Sequence, residues 1–397
     1  MEESAIADVM LFVLLVIALA AGWWLGRHSR GSFGSGNSRQ RVAPTRDYFI
    51  GLNYLLNDEP DDAIDIFTDS LEMTPANLET YLALGKLLRR RGKVDRSIAV
   101  YQDLLGKGHF KPEQLNEIRI NMAHSFIAAG LLDRAEQILD DLKKEKGTIK
   151  YRALVLSVNI FQQEKDWHMG VQAVAELVKV CPPEQRQGFQ RVASHFYCEM
   201  AAVELAREHV TRARELLQEA QSLDKGNPRA SMLRGELESR SGNDRDALKH
   251  YLNVQKQNPA FIADIFDALV DVFRRSGKER ALEKFISDCR ETANNASVLI
   301  QVAGFLEQTQ GRDVASNFLR EKLQRNASLQ LLQAFVELGQ GADQDMAITL
   351  SVLKEYIEGT AQYQCQNCGF ELKTLHWLCP SCSQWGTVQH MAGMLEG

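Results

Sequence analysis

Four cysteines near the carboxyl end of the chain have the spacing of a metal site. Cys365 and Cys368 form one C-x-x-C pair, and Cys379 and Cys382 form a second pair after ten intervening residues. This spacing lets both thiolates of a pair face one cation while the intervening backbone amides turn toward sulfur, and Gly369 provides a position for positive φ. Four thiolates form a closed tetrahedral set, which favours one structural ion. Zinc is the first choice, and iron suits the same donors in a rubredoxin-like centre.

Two other interpretations of this tail are weaker. The four cysteines could form two disulfides, but disulfides are rare in the cytoplasm, the compartment predicted below. A zinc ribbon can also bind nucleic acid, but Lys373 is the one fixed positive charge between Gln364 and Val388, so the tail offers no phosphate-binding patch. We expect its aromatic residues to pack the ribbon and to dock it on the last helices: Tyr363, Phe370, Trp377 and Trp385.

The elements that must position this tail are helical hairpins that repeat at about 34 residues. Gly51, Ala63, Phe67 and Pro75 recur one period later as Gly85, Ser97, Tyr101 and His109. The same order of small, small and large residues continues at Ala123, Ala135 and Leu139; Ala201, Ala213 and Leu217; Gly235, Ala247 and Tyr251, followed by Pro259; Leu269, Ala281 and Phe285; and Ala303, Ala315 and Leu319.

This order resembles the tetratricopeptide repeat. A single hairpin cannot bury its apolar stripe, so consecutive hairpins must stack into a superhelix whose inner groove can bind a partner. The sequence therefore predicts an all-α array of about nine hairpins at residues 47–359, followed by the four-cysteine domain at 360–397. The segment Cys181-Pro182-Pro183 must interrupt a helix within the array.

The amino end contains a predicted membrane anchor. Val9 to Leu25 is an apolar run without a charge, and at about 1.5 Å per residue it is roughly 25 Å long, close to a ~30 Å hydrocarbon core. A cleaved signal peptide would need a basic start, but this chain begins with acids. Several arginines follow the run and none precedes it, which predicts an outside amino terminus and a cytoplasmic remainder. Residues 1–26 are thus the anchor, and residues 27–46 are a basic Gly/Ser linker.

Composition and motifs favour a binding protein over an enzyme. The net charge of -6 and the pI near 5.9 argue against a general nucleic-acid binder. No P-loop, H-E-x-x-H or G-x-S-x-G motif occurs. His195 and Cys198, at i and i+3 on one helix, are the nearest approach to a thiolate pair, and packing explains them better.

The groove has candidate partner-binding residues. The repeat register places Lys86, Arg89 and Arg90 on a first helix facing the groove, with Glu117 and His124 on the following hairpin. A mixed-charge lining of this kind suits a peptide or a folded protein.

The order of parts resembles the lipopolysaccharide assembly protein B family of Gram-negative bacteria. The anchor VMLFVLLVIALAAGWWLG, the repeats and the C-Q-N-C-G and C-P-S-C knuckles carry this resemblance over the full chain. It implies an inner-membrane protein that acts in lipopolysaccharide homeostasis and binds one metal through Cys365, Cys368, Cys379 and Cys382. It also implies an adaptor that helps the membrane-bound metalloprotease FtsH degrade the committed-step lipid A deacetylase, under an inner-membrane regulator.

Two other functions stay open at this point. The chain could be a membrane scaffold that gathers lipopolysaccharide synthesis and transport proteins, with lipopolysaccharide itself a further candidate partner. An iron-loaded tail could instead be a rubredoxin-like electron carrier, although this would not explain the long helical array.

Overall fold

A computed structural model describes residues 75–391, apart from 76, 108, 326–327 and 340–343. The predicted anchor, the linker and the first predicted hairpin lie outside the described residues. Among the helices of the described part of the chain, none is both long enough and apolar enough to cross a membrane. The chain divides into two compact units, Met1–Asn121 and Met122–Gly397.

The described residues form sixteen α-helices in consecutive pairs. The helices are α1 (Leu78–Arg90), α2 (Val94–Lys107), α3 (Pro112–Ala128), α4 (Leu132–Leu142), α5 (Thr148–Glu164), α6 (Trp167–Val180), α7 (Pro183–Ala206), α8 (Val210–Leu223), α9 (Pro228–Arg240), α10 (Asp244–Gln257), α11 (Ile262–Arg275), α12 (Glu279–Thr292), α13 (Ala296–Gln310), α14 (Arg312–Arg325), α15 (Leu329–Gly339) and α16 (Gln344–Gly359). A 3₁₀ turn at Pro259–Phe261 precedes α11. These pairs confirm the predicted helical-hairpin array for the described residues.

In the first unit, α1 and α2 show why the repeat needs two small residues, at Gly85 and Ser97, and one large residue, at Tyr101. The Ser97 hydroxyl donates to the Gly85 carbonyl at 2.7 Å, and the Tyr101 hydroxyl donates to the Leu82 carbonyl at 3.2 Å. A Cβ at Gly85 would lie 2.3 Å from the Tyr101 ring. Only glycine therefore allows this ring to pack against the first helix.

In the second unit, the first helices of successive hairpins pack directly on one another. Helix α7 contacts α9, α9 contacts α11, α11 contacts α13, and α13 contacts α15. The second helices lie between them in sequence and pack on both neighbours, as α8 does on α7 and α9. The result is a row of first helices that presents one continuous face.

The predicted register holds at most positions of this unit. Ala123, Ala135, Leu139, Ala201, Ala213 and Leu217 are fully buried. The prediction is wrong at Ala281, which is exposed, because Leu282 is the buried residue at the start of α12. The Cys181-Pro182-Pro183 break is confirmed, since α6 ends at Val180 and α7 begins at Pro183.

The tail forms a small antiparallel sheet. Strands β1 (Tyr363–Cys365), β2 (Glu371–Leu372) and β3 (Val388–His390) have the order β2-β1-β3. Tyr363 pairs with Leu372 on one side and with His390 on the other. We call this domain, residues 363–390, the ribbon.

Candidate functional site

The two C-x-x-C segments of the ribbon form matching turns. The amide of Cys365 donates to the carbonyl of Phe370, and the amide of Cys379 donates to the carbonyl of Gln384. The fifth residue of each turn has a positive φ, 76° at Gly369 and 55° at Ser383. The second knuckle thus repeats the backbone of the first, although serine occupies the position that favours glycine.

The four thiols converge on one point. All four Sγ atoms lie within 4.8 Å of one another. The Cys365 and Cys382 sulfurs are 3.7 Å apart, and the Cys368 and Cys379 sulfurs are 3.8 Å apart. A disulfide would need about 2.05 Å, whereas four sulfurs at about 2.3 Å from a central ion are roughly 3.8 Å apart. The donor set and its spacing therefore fit one tetrahedral metal ion.

Hydrogen bonds to sulfur prepare part of this set for the thiolate form. Burial raises the pKa of Cys365, but bonds from the Thr387 hydroxyl and from the amides of Cys368 and Asn367 outweigh it and lower this pKa to about 6. The Thr387 oxygen lies 3.2 Å from the Cys365 sulfur. For Cys379, burial prevails and raises the pKa to about 11. A cation would be needed to keep all four groups ionised together.

The ribbon docks on the helical array through Trp385. Its ring stacks on His195 with centroids 4.9 Å apart, and it meets Phe196 edge-on at 5.9 Å and Trp167 edge-on at 6.0 Å. The indole Nε1 donates to the Gln162 carboxamide at 2.6 Å. Trp385 therefore anchors the ribbon to α5, α6 and α7.

Trp377 makes a second anchor further along the same face. It stacks on Phe261 with centroids 4.8 Å apart, and the Arg229 guanidinium lies over its ring at 5.7 Å. Arg229 is held in place by Glu199 at 2.8 Å. The ribbon thus reaches from α5 to the 3₁₀ turn before α11.

Polar groups complete the docking surface at α11. The Tyr363 hydroxyl donates to Asp264 at 3.2 Å, and the His390 imidazole lies 3.4 Å from the other oxygen of the same carboxylate. Burial and the Asp264 charge raise the pKa of Tyr363. This tyrosine therefore stays a donor to Asp264 over the physiological pH range.

The position of the ribbon differs from the sequence-based expectation. Its tryptophans pack mainly on the middle of the array, while Lys373 makes one bond to the last helix, donating to the Glu358 carbonyl at 2.9 Å. Phe370, which we expected to take part in packing, is 44% exposed. The reason is that the flat aromatic partners of the two tryptophans, His195 and Phe261, lie on α7 and in the turn before α11.

His195 and Cys198 act in packing. Burial, followed by the charges of Arg229 and Arg191, lowers the pKa of His195 to about 3. Burial raises the pKa of Cys198 to about 12. Both shifts oppose the thiolate–imidazolium pair that a nucleophilic cysteine requires. His195 instead provides a neutral ring for Trp385.

The predicted partner-binding residues are divided between the two units. In the first unit, Lys86 and Arg90 are exposed, while Arg89 and Glu117 are half-buried. Burial and Arg90 lower the pKa of Arg89 despite the opposing effect of Tyr101. The Glu117 side chain accepts from Asn121 at 3.0 Å. Partner binding by these residues stays a prediction.

In the second unit, the predicted residue His124 lies beside the ribbon. It is half-buried and lines a cleft that also includes Gln162 and Trp385. Sequence reasoning did not identify Gln162, Asp264 or Phe261 as contacts of the ribbon, because no local pattern marks a helix residue that meets a domain some hundred or more positions away.

Two family models match parts of the chain. Residues 363–390 match a rubredoxin metal-binding domain, and residues 50–112 match a tetratricopeptide repeat.

Similar proteins cover nearly the whole chain. Lipopolysaccharide assembly protein B of Haemophilus influenzae is 30% identical over 395 residues, covering 96% of this chain and 97% of the relative. Its namesake in Escherichia coli is 29% identical over 393 residues, covering 97% and 98%. Among solved structures, a crystal structure of MamA protein has a TM-score of 0.34 and 14% identity, over 47% of this chain and 93% of that one.

Proposed function

Because this chain belongs to the lipopolysaccharide assembly protein B family, we propose that it is a membrane-anchored adaptor that acts in lipopolysaccharide assembly by binding other proteins. The observation that carries this proposal is the full-length similarity, which includes the repeat array and the metal-binding tail together. Stacked hairpins present a long face to partners, and a closed four-thiol set leaves no open position for a substrate. The chain therefore positions proteins and performs no reaction of its own.

The ribbon holds one metal ion in this proposal, with Cys365, Cys368, Cys379 and Cys382 as the ligands. Their sulfur spacing supports a tetrahedral ion, with zinc preferred over iron. The ion supplies folding free energy to a domain with few buried apolar residues. Elemental analysis should find one zinc per chain, and Cys382→Ser should lose it and unfold the ribbon. A reversible visible absorption band would instead indicate iron and an electron carrier.

In this proposal the adaptor is a single-pass protein of the inner membrane. Residues 1–26 cross it once with the amino terminus in the periplasm, residues 27–46 form the linker, and residues 47–359 and 360–397 are the cytoplasmic array and metal domain. Confinement to the membrane raises the effective concentration of the chain near other membrane proteins without any new contact.

The finer mechanism in this proposal is regulated proteolysis. The chain brings the committed-step lipid A deacetylase to FtsH, and an inner-membrane regulator of lipopolysaccharide synthesis restrains it. Support comes from the resemblance and from the combination of an anchor, a linker and a binding face.

The test is the half-life of the deacetylase in cells that carry different forms of this chain. Depletion should lengthen the half-life, the full chain should restore it, and a form without residues 1–26 should not, although it stays folded and binds the deacetylase. An unchanged half-life on depletion would reject the proteolytic adaptor and favour a scaffold. Full restoration by the truncated form would reject the role of membrane confinement.

A further inference from the structure

A cleft of about 670 Å³ lies beside the ribbon, between helices α3, α5 and α7 and the second knuckle. Half-buried apolar side chains supply much of its lining: Ile127, Val155, Phe189 and Val192. On the ribbon side it is bounded by residues 382–385, which include the docked Trp385. The volume is within the range of specific ligand sites. The cleft is thus continuous with the docking surface and is completed only when the ribbon is in place.

The polar lining of this cleft consists mostly of carboxamides. Asn159, Gln163 and Gln384 are exposed, so their donors and acceptors are accessible. Gln162 is already bonded to Trp385, and Gln185 accepts from the Tyr151 hydroxyl. A carboxamide both donates and accepts, and this matches the unpaired N–H and C=O groups of an extended backbone.

The charge of the lining restricts the occupant further. Charged residues make up 25% of the chain, yet the described residues that line this cleft include no Lys, Arg, Asp or Glu. The polar cavity on the other side of Trp385 differs, since Arg191, Asp224 and Lys225 line it. Cys382 also lines the cleft, and as a metal-bound thiolate it would add negative charge to the ribbon wall. An acidic segment entering the cleft would therefore lose hydration without gaining a counter-charge. An uncharged segment with apolar side chains would not meet this cost.

We propose that this cleft binds an extended, apolar segment of a partner polypeptide without acidic residues, with the second knuckle of the ribbon as one wall. The inference rests on the proposed function, because it names the surface that would hold the deacetylase. Apolar side chains of the segment pack on Val155 and Phe189, and its backbone bonds to the carboxamides of Asn159, Gln163 and Gln384.

The position of the ribbon links this binding to the metal. Since Ser383 and Gln384 belong to the second knuckle, loss of the ion disorders one wall of the cleft. If the bound metal raises the affinity of the cleft for the segment by some factor, linkage requires that the bound segment raises the affinity of the ribbon for the metal by that same factor. Segment affinity and metal retention therefore measure the same coupling free energy between the cleft and the metal site.

The test uses the full chain in detergent and overlapping 15-residue peptides of the lipid A deacetylase as probes. Apolar peptides without acidic residues should bind best. The double variant Asn159→Asp with Gln163→Glu should weaken their binding at least tenfold. The control is Gln137→Glu with Gln324→Glu, which adds the same charge at exposed positions outside the cleft, and it should leave binding unchanged. The bound peptides should also slow transfer of the metal to a chelator.

Photo-crosslinking tests the two walls directly. A photoreactive residue at Gln384 and one at Asn159 should capture the same peptide, and one at Gln187, which lines the cavity on the other side of Trp385, should not. If the intact deacetylase binds, but the cleft variant binds it unchanged and neither position crosslinks to it, then this cleft is not the binding site. The proposed adaptor function would not be affected by that result. If the deacetylase does not bind and its half-life does not depend on this chain, the proposed function itself fails.

Discussion

Replacement of Trp385 by alanine should weaken docking of the ribbon on the helices without unfolding it. The side chain is 8% exposed and makes three aromatic contacts and one hydrogen bond with the array. Each aromatic pair contributes about 0.5–1.5 kcal/mol and the hydrogen bond about 0.5–1.5 kcal/mol. Truncation of a buried tryptophan costs about 3–5 kcal/mol, so the docking equilibrium should fall by a factor of roughly 100 to 4,000.

The metal should remain bound in this variant, because the small core of the ribbon does not include Trp385. That core consists of Tyr363, Cys365, Leu372, Cys379 and Val388. Hydrogen exchange followed by mass spectrometry should therefore show faster exchange in α5 and α7, while elemental analysis still finds one metal per chain. Retained metal together with faster exchange would separate docking from ribbon folding.

Phe370→Ala is the matched control, since this aromatic residue of the ribbon is 44% exposed. It should change the exchange of α5 and α7 little. If Trp385→Ala loses the metal, the Trp385 side chain also supports the fold of the ribbon, and docking and ribbon folding are not separable. Unchanged exchange in both helices would show that docking does not depend on Trp385.

Three further predictions follow from the packing and the backbone. Gly235→Ala places a Cβ 2.5 Å from the Tyr251 ring and should lower the free energy of unfolding by about 1–3 kcal/mol. Gly304→Ala places a Cβ with no atom within 4 Å beyond its chain neighbours and its own helix backbone, and it should raise the free energy of unfolding by up to ~1 kcal/mol. Urea unfolding measures both. Ser383→Gly relieves a positive φ of 55°, a conformation that costs a residue with a Cβ roughly 1–2 kcal/mol, and it should therefore slow metal transfer to a chelator. Burial, to which the stacked Trp385 ring contributes, lowers the pKa of His195 to about 3. Docking should therefore be strongest above pH 6.5 and weaken toward pH 3 by at most about 1.4 kcal/mol per pH unit. Hydrogen exchange of α7 between pH 7.5 and 5.5 checks this slope, with the metal content measured in parallel, and His195→Gln should remove it.

Local spacing predicted the parts of this fold that depend on local contacts. Gly85, Ser97 and Tyr101 lie within one hairpin, and their types are dictated by a helix crossing inside that hairpin. The cysteine spacing is similarly local to each knuckle. At Ala281 the prediction failed because Ala281 and Leu282 both suit the start of a helix, and only the packing of neighbouring hairpins decides which one is buried.

The position of the ribbon could not be predicted in this way. Gln162 and Trp385 are 223 residues apart, and neither belongs to a pattern that indicates the other. His195 attracted attention only as a neighbour of Cys198, whereas its role is to provide a flat, neutral surface for Trp385. Pairings over such distances depend on surface shape, which a single sequence does not reveal.

The separation between Gln162 and Trp385 has a consequence during translation. The ribosome completes α5 and α7 roughly 10–45 s before it synthesises the residues that cover them. Throughout this interval the His195 surface that binds Trp385 lacks its cover on the nascent chain, although His195 is buried in the finished protein. A chain terminated early, before Trp377, would keep that surface uncovered permanently, and quality-control proteases and chaperones that recognise apolar surface would have a site on every such product.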